Sequence, residues 1–196
     1  MFIARVLFTG IASSVGIGGL VPLSSLIAGG GDPTAWIVKS KDSFPLFICS
    51  NSSHNIEISL TPKGGKNNLT TGKEIVFKGY DEKNKRSVEL YDRDSAGLSP
   101  FELIIFQSGT SKLTEAGSGM DSYKYGGDLY CEGNVFKVET YNQNFGTDKQ
   151  WSKGFEKINL TLGQCDSKNG RQECSIVFGG DVGLSWRDDL QPKVII

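Results

Sequence analysis

Four cysteines, Cys49, Cys131, Cys165 and Cys174, and a single histidine, His54, carry most of the reactive chemistry available to this chain. An even cysteine count suits two disulfides, and four cysteines allow three connectivities. One connectivity follows from a turn. Asn169-Gly170 lies midway between Cys165 and Cys174, and Asn-Gly is the strongest signal for a two-residue type I′ hairpin, because both positions tolerate positive φ. A hairpin closed there sets Lys168 opposite Arg171, Ser167 opposite Gln172, Asp166 opposite Glu173 and Cys165 opposite Cys174. Counting from a hydrogen-bonded Lys168–Arg171 pair, the two cysteines occupy a non-hydrogen-bonded pair, where Cα atoms approach to about 4.5 Å and a disulfide can close. The same register sets Leu162 opposite Val177 and Leu160 opposite Gly179 on one face, at the cost of two like charges, Asp166 and Glu173, facing each other. Cys49–Cys131 then follows by elimination. The competing state is four reduced thiols in a cytosolic protein.

Nucleophilic catalysis of the Ser-His-Asp or Cys-His kind would have to use His54. It stands in Asn51-Ser52-Ser53-His54-Asn55, a polar run that reads as an exposed loop with an ordinary surface histidine. No Cys-x2-Cys or His-x3-His spacing exists, so no zinc site is expected. Asp92-Arg93-Asp94-Ser95-Ala96-Gly97 begins like a calcium loop, but Ala96 and Leu103 stand where oxygen ligands are needed. It reads as a charged turn. No metal and no cofactor are expected: Gly16-Ile17-Gly18-Gly19 lies in an apolar run without a preceding strand, and there is no Walker motif. Asp128 and Asp181 each follow a Gly-Gly pair, which makes them the first carboxylates to consider for a hydrolase. The absence of a clear catalytic constellation makes an enzyme the less favoured reading. Tyr123, Tyr125, Trp151 and Trp186, with Tyr130 and Tyr141 between them, are the candidate ligand-binding residues, as a stacking platform for a sugar or a protein. Strand aromatics more often fill a core. Asn51, Asn68 and Asn159 open Asn-x-Ser/Thr triplets that matter only in a eukaryotic secretory pathway.

Elements that could position these residues are mostly strands. Ten short apolar or alternating runs are separated by Gly, Asn, Asp and Ser clusters: Trp36 to Lys39, Leu46 to Ser50, Asn55 to Leu60, Glu74 to Lys78, Ser87 to Tyr91, Phe101 to Gln107, Asp128 to Glu132, Asn134 to Tyr141, Lys157 to Leu162 and Glu173 to Phe178. A turn roughly every ten residues predicts a mainly β domain, an antiparallel sandwich or barrel-like fold, over residues 32–196. Nine charges of both signs fall in the fifteen residues from Tyr80 to Asp94, a composition that reads as a solvated face. The composition, 38% apolar, 10% aromatic and 22% charged, excludes a wholly disordered chain. A net charge of -1 gives no field to recruit nucleic acid.

Residues 1–31 form a separate unit. From Val6 to Gly31 there are 26 residues without a charged side chain, enough for a helix across a bilayer. A cleaved signal peptide ending after Gly30 competes with an uncleaved anchor over residues 6–28, and the length of the run favours the anchor. Arg5 on the short side then places the amino terminus in the cytoplasm and the β domain outside the cell membrane, single-pass; cleavage would release it as a secreted protein. Gly10, Ser14 and Gly18 make a small-residue stripe through which two anchors could form a homodimer, although chance spacing explains it better.

Ala12, Gly16, Gly18-Gly19 and Val21-Pro22-Leu23-Ser24-Ser25 in one apolar segment, ahead of a polar domain with scattered cysteines, resemble the short single-anchor surface proteins of haemotropic mycoplasmas. The resemblance covers the first 31 residues and carries over no functional residue. It implies surface exposure and host interaction. The expected role is therefore a surface binding protein for a host or other cell-surface macromolecule, and the alternative is a secreted or surface hydrolase using loop carboxylates.

Overall fold

A computed structural model describes residues 34–37, 42–91, 100–116, 123–146, 148–168 and 170–196. The apolar segment, its small-residue stripe, the Asp92 turn and Asn169 lie outside the described residues. Among those described, no helix is long and apolar enough to cross a membrane.

The described chain is built of strands: β1 (Ala35–Ile37), β2 (Phe44–Ser50), β3 (Asn55–Pro62), β4 (Glu74–Asp81), β5 (Arg86–Val88), β6 (Phe101–Phe106), β7 (Ser111–Glu115), β8 (Leu129–Glu132), β9 (Phe136–Val138), β10 (Gln143–Phe145), β11 (Asp148–Gly154), β12 (Asn159–Lys168), β13 (Arg171–Gly179), β14 (Leu184–Trp186) and β15 (Lys193–Ile195). One 3-10 turn, Phe155–Lys157, follows β11. The strands run side by side in one sheet in the order β1-β15-β13-β12-β4-β3-β2-β8-β7-β6-β11-β10, with β5 added to β4, while β14 and β9 form a separate ribbon. Two meanders, β2-β3-β4 and β6-β7-β8, meet where β2 pairs with β8. Every pairing is antiparallel except that of β1 with β15, which is parallel.

Alternation puts one face of this sheet into a single core. On β4 Ile75, Phe77, Gly79 and Asp81 point inward while Glu74, Val76, Lys78 and Tyr80 point outward. Residues from both ends of the sheet, Trp36 and Val194 at one and Trp151 at the other, are fully buried members of one hydrophobic cluster. The sheet therefore curls about its own apolar face. Phe136 on the β9–β14 ribbon contributes the central ring, stacking on Trp186 at 5.5 Å and meeting Phe47, Phe77 and Phe178 edge-on.

The hairpin of β12 and β13 has the register expected next to its turn, from Lys168 opposite Arg171 to Cys165 opposite Cys174. Further along it departs from expectation: Leu162 faces Ile176 and Leu160 faces Phe178, not Val177 and Gly179. Strand parity is the reason. Leu162 and Cys165 are three residues apart and would point to opposite faces of a regular strand, yet both have partners on the buried side of β13, Ile176 and Cys174. A bulge of one extra residue restores the parity, and leaves Val177 on the outside, 40% exposed. Gly163 makes the bulge fit, because a Cβ there would lie 2.5 Å from Ser175 Oγ. Strand β2 uses the same device, with an irregularity between Pro45 and Phe47 that lets Phe44, Leu46, Phe47 and Cys49 all be buried.

Candidate functional site

Both expected disulfides are formed, each between directly opposed residues of neighbouring strands. Cys49–Cys131 joins β2 to β8 and Cys165–Cys174 joins β12 to β13, with Cα atoms 3.8 and 4.0 Å apart. No free cysteine is left.

His54 is not the exposed loop histidine that its polar neighbours suggest. Its side chain is 11% exposed, and Nδ1 lies 2.7 Å from Oδ2 of Asp81, which is wholly buried at the end of β4. Asp81 is thus the buried charge among the described residues of the stretch expected to be a solvated face, in which Lys83, Lys85 and Arg86 are exposed. Its Oδ1 accepts the backbone N–H groups of Asn55, Lys83 and Asn84, and its Oδ2 also accepts Asn84 Nδ2. Burial alone would raise this carboxyl, but the hydrogen bonds from His54, Asn84 and Asn55 outweigh it and hold Asp81 well below the usual carboxylate range. An ionised Asp81 requires the proton on His54 Nδ1. A histidine oriented by a buried carboxylate is half of a hydrolase triad. Here, however, the ring packs edge-on against Tyr125 at 5.3 Å, and the pair acts as a pin between the β2–β3 and β4–β5 turns.

The element it supports is the loop 123–127, which leads into β8. Glu115, the last residue of β7, fixes the backbone of this loop: Oε1 accepts the N–H of Lys124, and Oε2 those of Tyr125 and Gly127. Asn51 Nδ2 donates to the Tyr125 carbonyl, while Asn51 Oδ1 accepts the N–H groups of Ser53 and His54. Gly126 and Gly127, at φ 77° and 88°, supply the left-handed turn that aims three amides at one carboxylate. Tyr125 itself is turned inward, 5% exposed, against His54 and Phe101. On the outside stand Tyr123, 37% exposed, and two cations directed at the Tyr125 ring: Arg86 Cζ at 5.4 Å and Lys124 Nζ at 5.3 Å from its centroid.

The four aromatic candidates therefore do not form one exposed platform. Trp151 is fully buried and donates its indole N–H to the Val182 carbonyl. Trp186 packs on Phe136 and Phe178 and donates to the Ile176 carbonyl. Their amphipathic rings close the core with one hydrogen bond each. Only Tyr123 and Tyr125 share a loop, one facing out and one in, while Tyr130 stands alone at 66% exposure on β8. Compared with protein-family models, with curated proteins and with solved structures, the chain finds no match.

Both hydrolase candidates accept hydrogen bonds within their own loops and strands. Asp128 accepts from Lys112 Nζ at 2.6 Å and Thr114 Oγ1 at 2.8 Å. Its partial burial works upward, but these two partners prevail and lower its pKa. Asp181 caps its own turn by accepting the Gly183 N–H. Sequence reasoning missed Asp81, Glu115, Arg86 and Asn51. Three of the four signals are long-range, since Asp81 meets His54 27 residues away and Asn51 and Arg86 meet Tyr125 74 and 39 residues away, whereas Glu115 acts within the β7–β8 connection.

Proposed function

We propose that this chain is a domain displayed outside the cell, anchored through residues 6–28, that binds a host or cell-surface macromolecule through the loop 123–127. The observation that carries the reading is the way this loop is held. Three backbone amides on one carboxylate, a side-chain amide on its carbonyl and a buried ring beneath it fix its shape before any ligand arrives, so little ordering entropy is left to lose on binding. What the loop presents, Tyr123 and Lys124 beside Arg86, is polar and aromatic in the manner of a binding surface. The groups that could serve catalysis are engaged internally: His54 with Asp81, Asp128 with Lys112, and the cysteines with each other. Two disulfides suit an oxidising compartment.

The test uses the full chain, immobilised and challenged with an array of extracellular-matrix proteins and polysaccharides. At least one retained ligand should dissociate at least tenfold faster from Tyr123→Ala, and at an unchanged rate from Tyr130→Ala, an exposed ring on β8 outside the loop. Retention of no ligand, or equal dissociation from all three proteins, would overturn the proposal.

A further inference from the structure

Resting on the loop as binding surface, we propose that Arg86 and Lys124 form an acid-binding subsite that takes a carboxylate or sulfate group of an acidic polysaccharide. Both cations lie within 5.4 Å of one ring centroid, so they are no more than about 11 Å apart. Each has exposed surface with which to meet a ligand. The Arg86 side chain is 45% exposed, with only its Nε edge turned to Asp81 at 3.9 Å, and Lys124 is exposed. Among the described residues no carboxylate lies within ion-pairing distance of Lys124 Nζ.

The acids nearest in the network are already committed. Glu115 spends both oxygens on backbone amides of the loop, and Asp81 spends both on His54, Asn84 and the backbone of its turn. Glu82 is taken by Lys85, and Lys83 donates to the Ser52 carbonyl. Two like charges are thus held near one ring, Asp81 at 3.9 Å from Arg86 being the one carboxylate paired with either of them among the described residues, and an anion from outside supplies a further partner. A guanidinium and a point-charge ammonium each pair with carboxylate or with sulfate. A polysaccharide fits this surface because the exposed ring of Tyr123 offers a flat face to a sugar, while Tyr125 is turned inward.

The experiment measures binding of the full chain to immobilised heparin, polygalacturonate and dextran across a salt series. The expected result is retention on heparin, polygalacturonate or both, and none on dextran; which acidic polymer is held tells sulfate from carboxylate. The double variant Arg86→Gln/Lys124→Gln should lose at least tenfold in affinity, and the slope of log affinity against log salt should fall by about two, one for each cation removed. Lys157→Gln, an exposed cation of the 3-10 turn, should change neither. Failure of both acidic polymers to bind at low salt, or equal binding by the double variant, would overturn the subsite. Retention of dextran that is lost in Tyr123→Ala would overturn the subsite while leaving the loop as the binding surface.

Discussion

Deleting the Cys49–Cys131 bridge with Cys49→Ala/Cys131→Ala is expected to destabilise the domain by about 4.5 kcal/mol, against about 2.6 kcal/mol for Cys165→Ala/Cys174→Ala. The difference comes from loop length. The first bridge closes 82 residues and the second 9, and the chain entropy removed from the unfolded state grows with the logarithm of that number. Position in the sheet acts in the same direction. Cys49–Cys131 is the middle of only three residue pairs joining β2 to β8, the seam between the two meanders, whereas Cys165–Cys174 lies in a hairpin already held by a local turn and eight pairs. A loss of about 4.5 kcal/mol is comparable to the whole stability of a weak domain, so the first variant should be partly unfolded in dilute urea. Equilibrium urea unfolding of both variants and the parent, under conditions that keep the remaining bridge oxidised, measures the two losses. Equal losses, or a larger one from the hairpin bridge, would refute the reasoning from loop length.

Gly163→Ala drives a Cβ against Ser175 Oγ at 2.5 Å and Val177 Cγ1 at 3.0 Å, and should cost about 1–3 kcal/mol by overpacking; adding Ser175→Gly should recover part of the loss in thermal denaturation. Glu115→Gln leaves one acceptor oxygen for three amides, and hydrogen exchange at Lys124, Tyr125 and Gly127 should accelerate by about 10- to 100-fold, for roughly 1–3 kcal/mol of local stability. Asp81 is held below its ordinary pKa when folded, so its stabilisation is present above pH about 4 and is lost as pH falls through and below that value. Urea midpoints between pH 7 and pH 2.5 should therefore fall less steeply for Asp81→Asn than for the parent, although the variant starts from a lower value.

Local patterning revealed much of the sheet. All ten runs read from alternation contain strand, and the hairpin with its disulfide followed from Asn169-Gly170 and the position of two cysteines. Strands β7, β10, β11, β14 and β15 were illegible for particular reasons. Strand β7 reads Ser-Lys-Leu-Thr-Glu, with one large apolar residue, and is a strand because β6 and β8 flank it. The bulge at Gly163 was in principle readable, since Leu162 and Cys165 differ in parity, but only with the knowledge that both face inward. His54 shows the limit most plainly. Its polar neighbours describe the surface of a loop, whereas its environment is set by Asp81, 27 residues away, and by Tyr125, 71 residues away.

The parallel pairing of β1 with β15 has a consequence for biosynthesis. Trp36 is among the first of these residues to leave the ribosome, and its neighbour across the sheet, Val194, is among the last. At 5–20 residues per second the intervening chain takes roughly 8 to 30 s to make. For that time an indole that ends wholly buried lacks the strand it pairs with and can lie only against earlier-made residues such as Phe44.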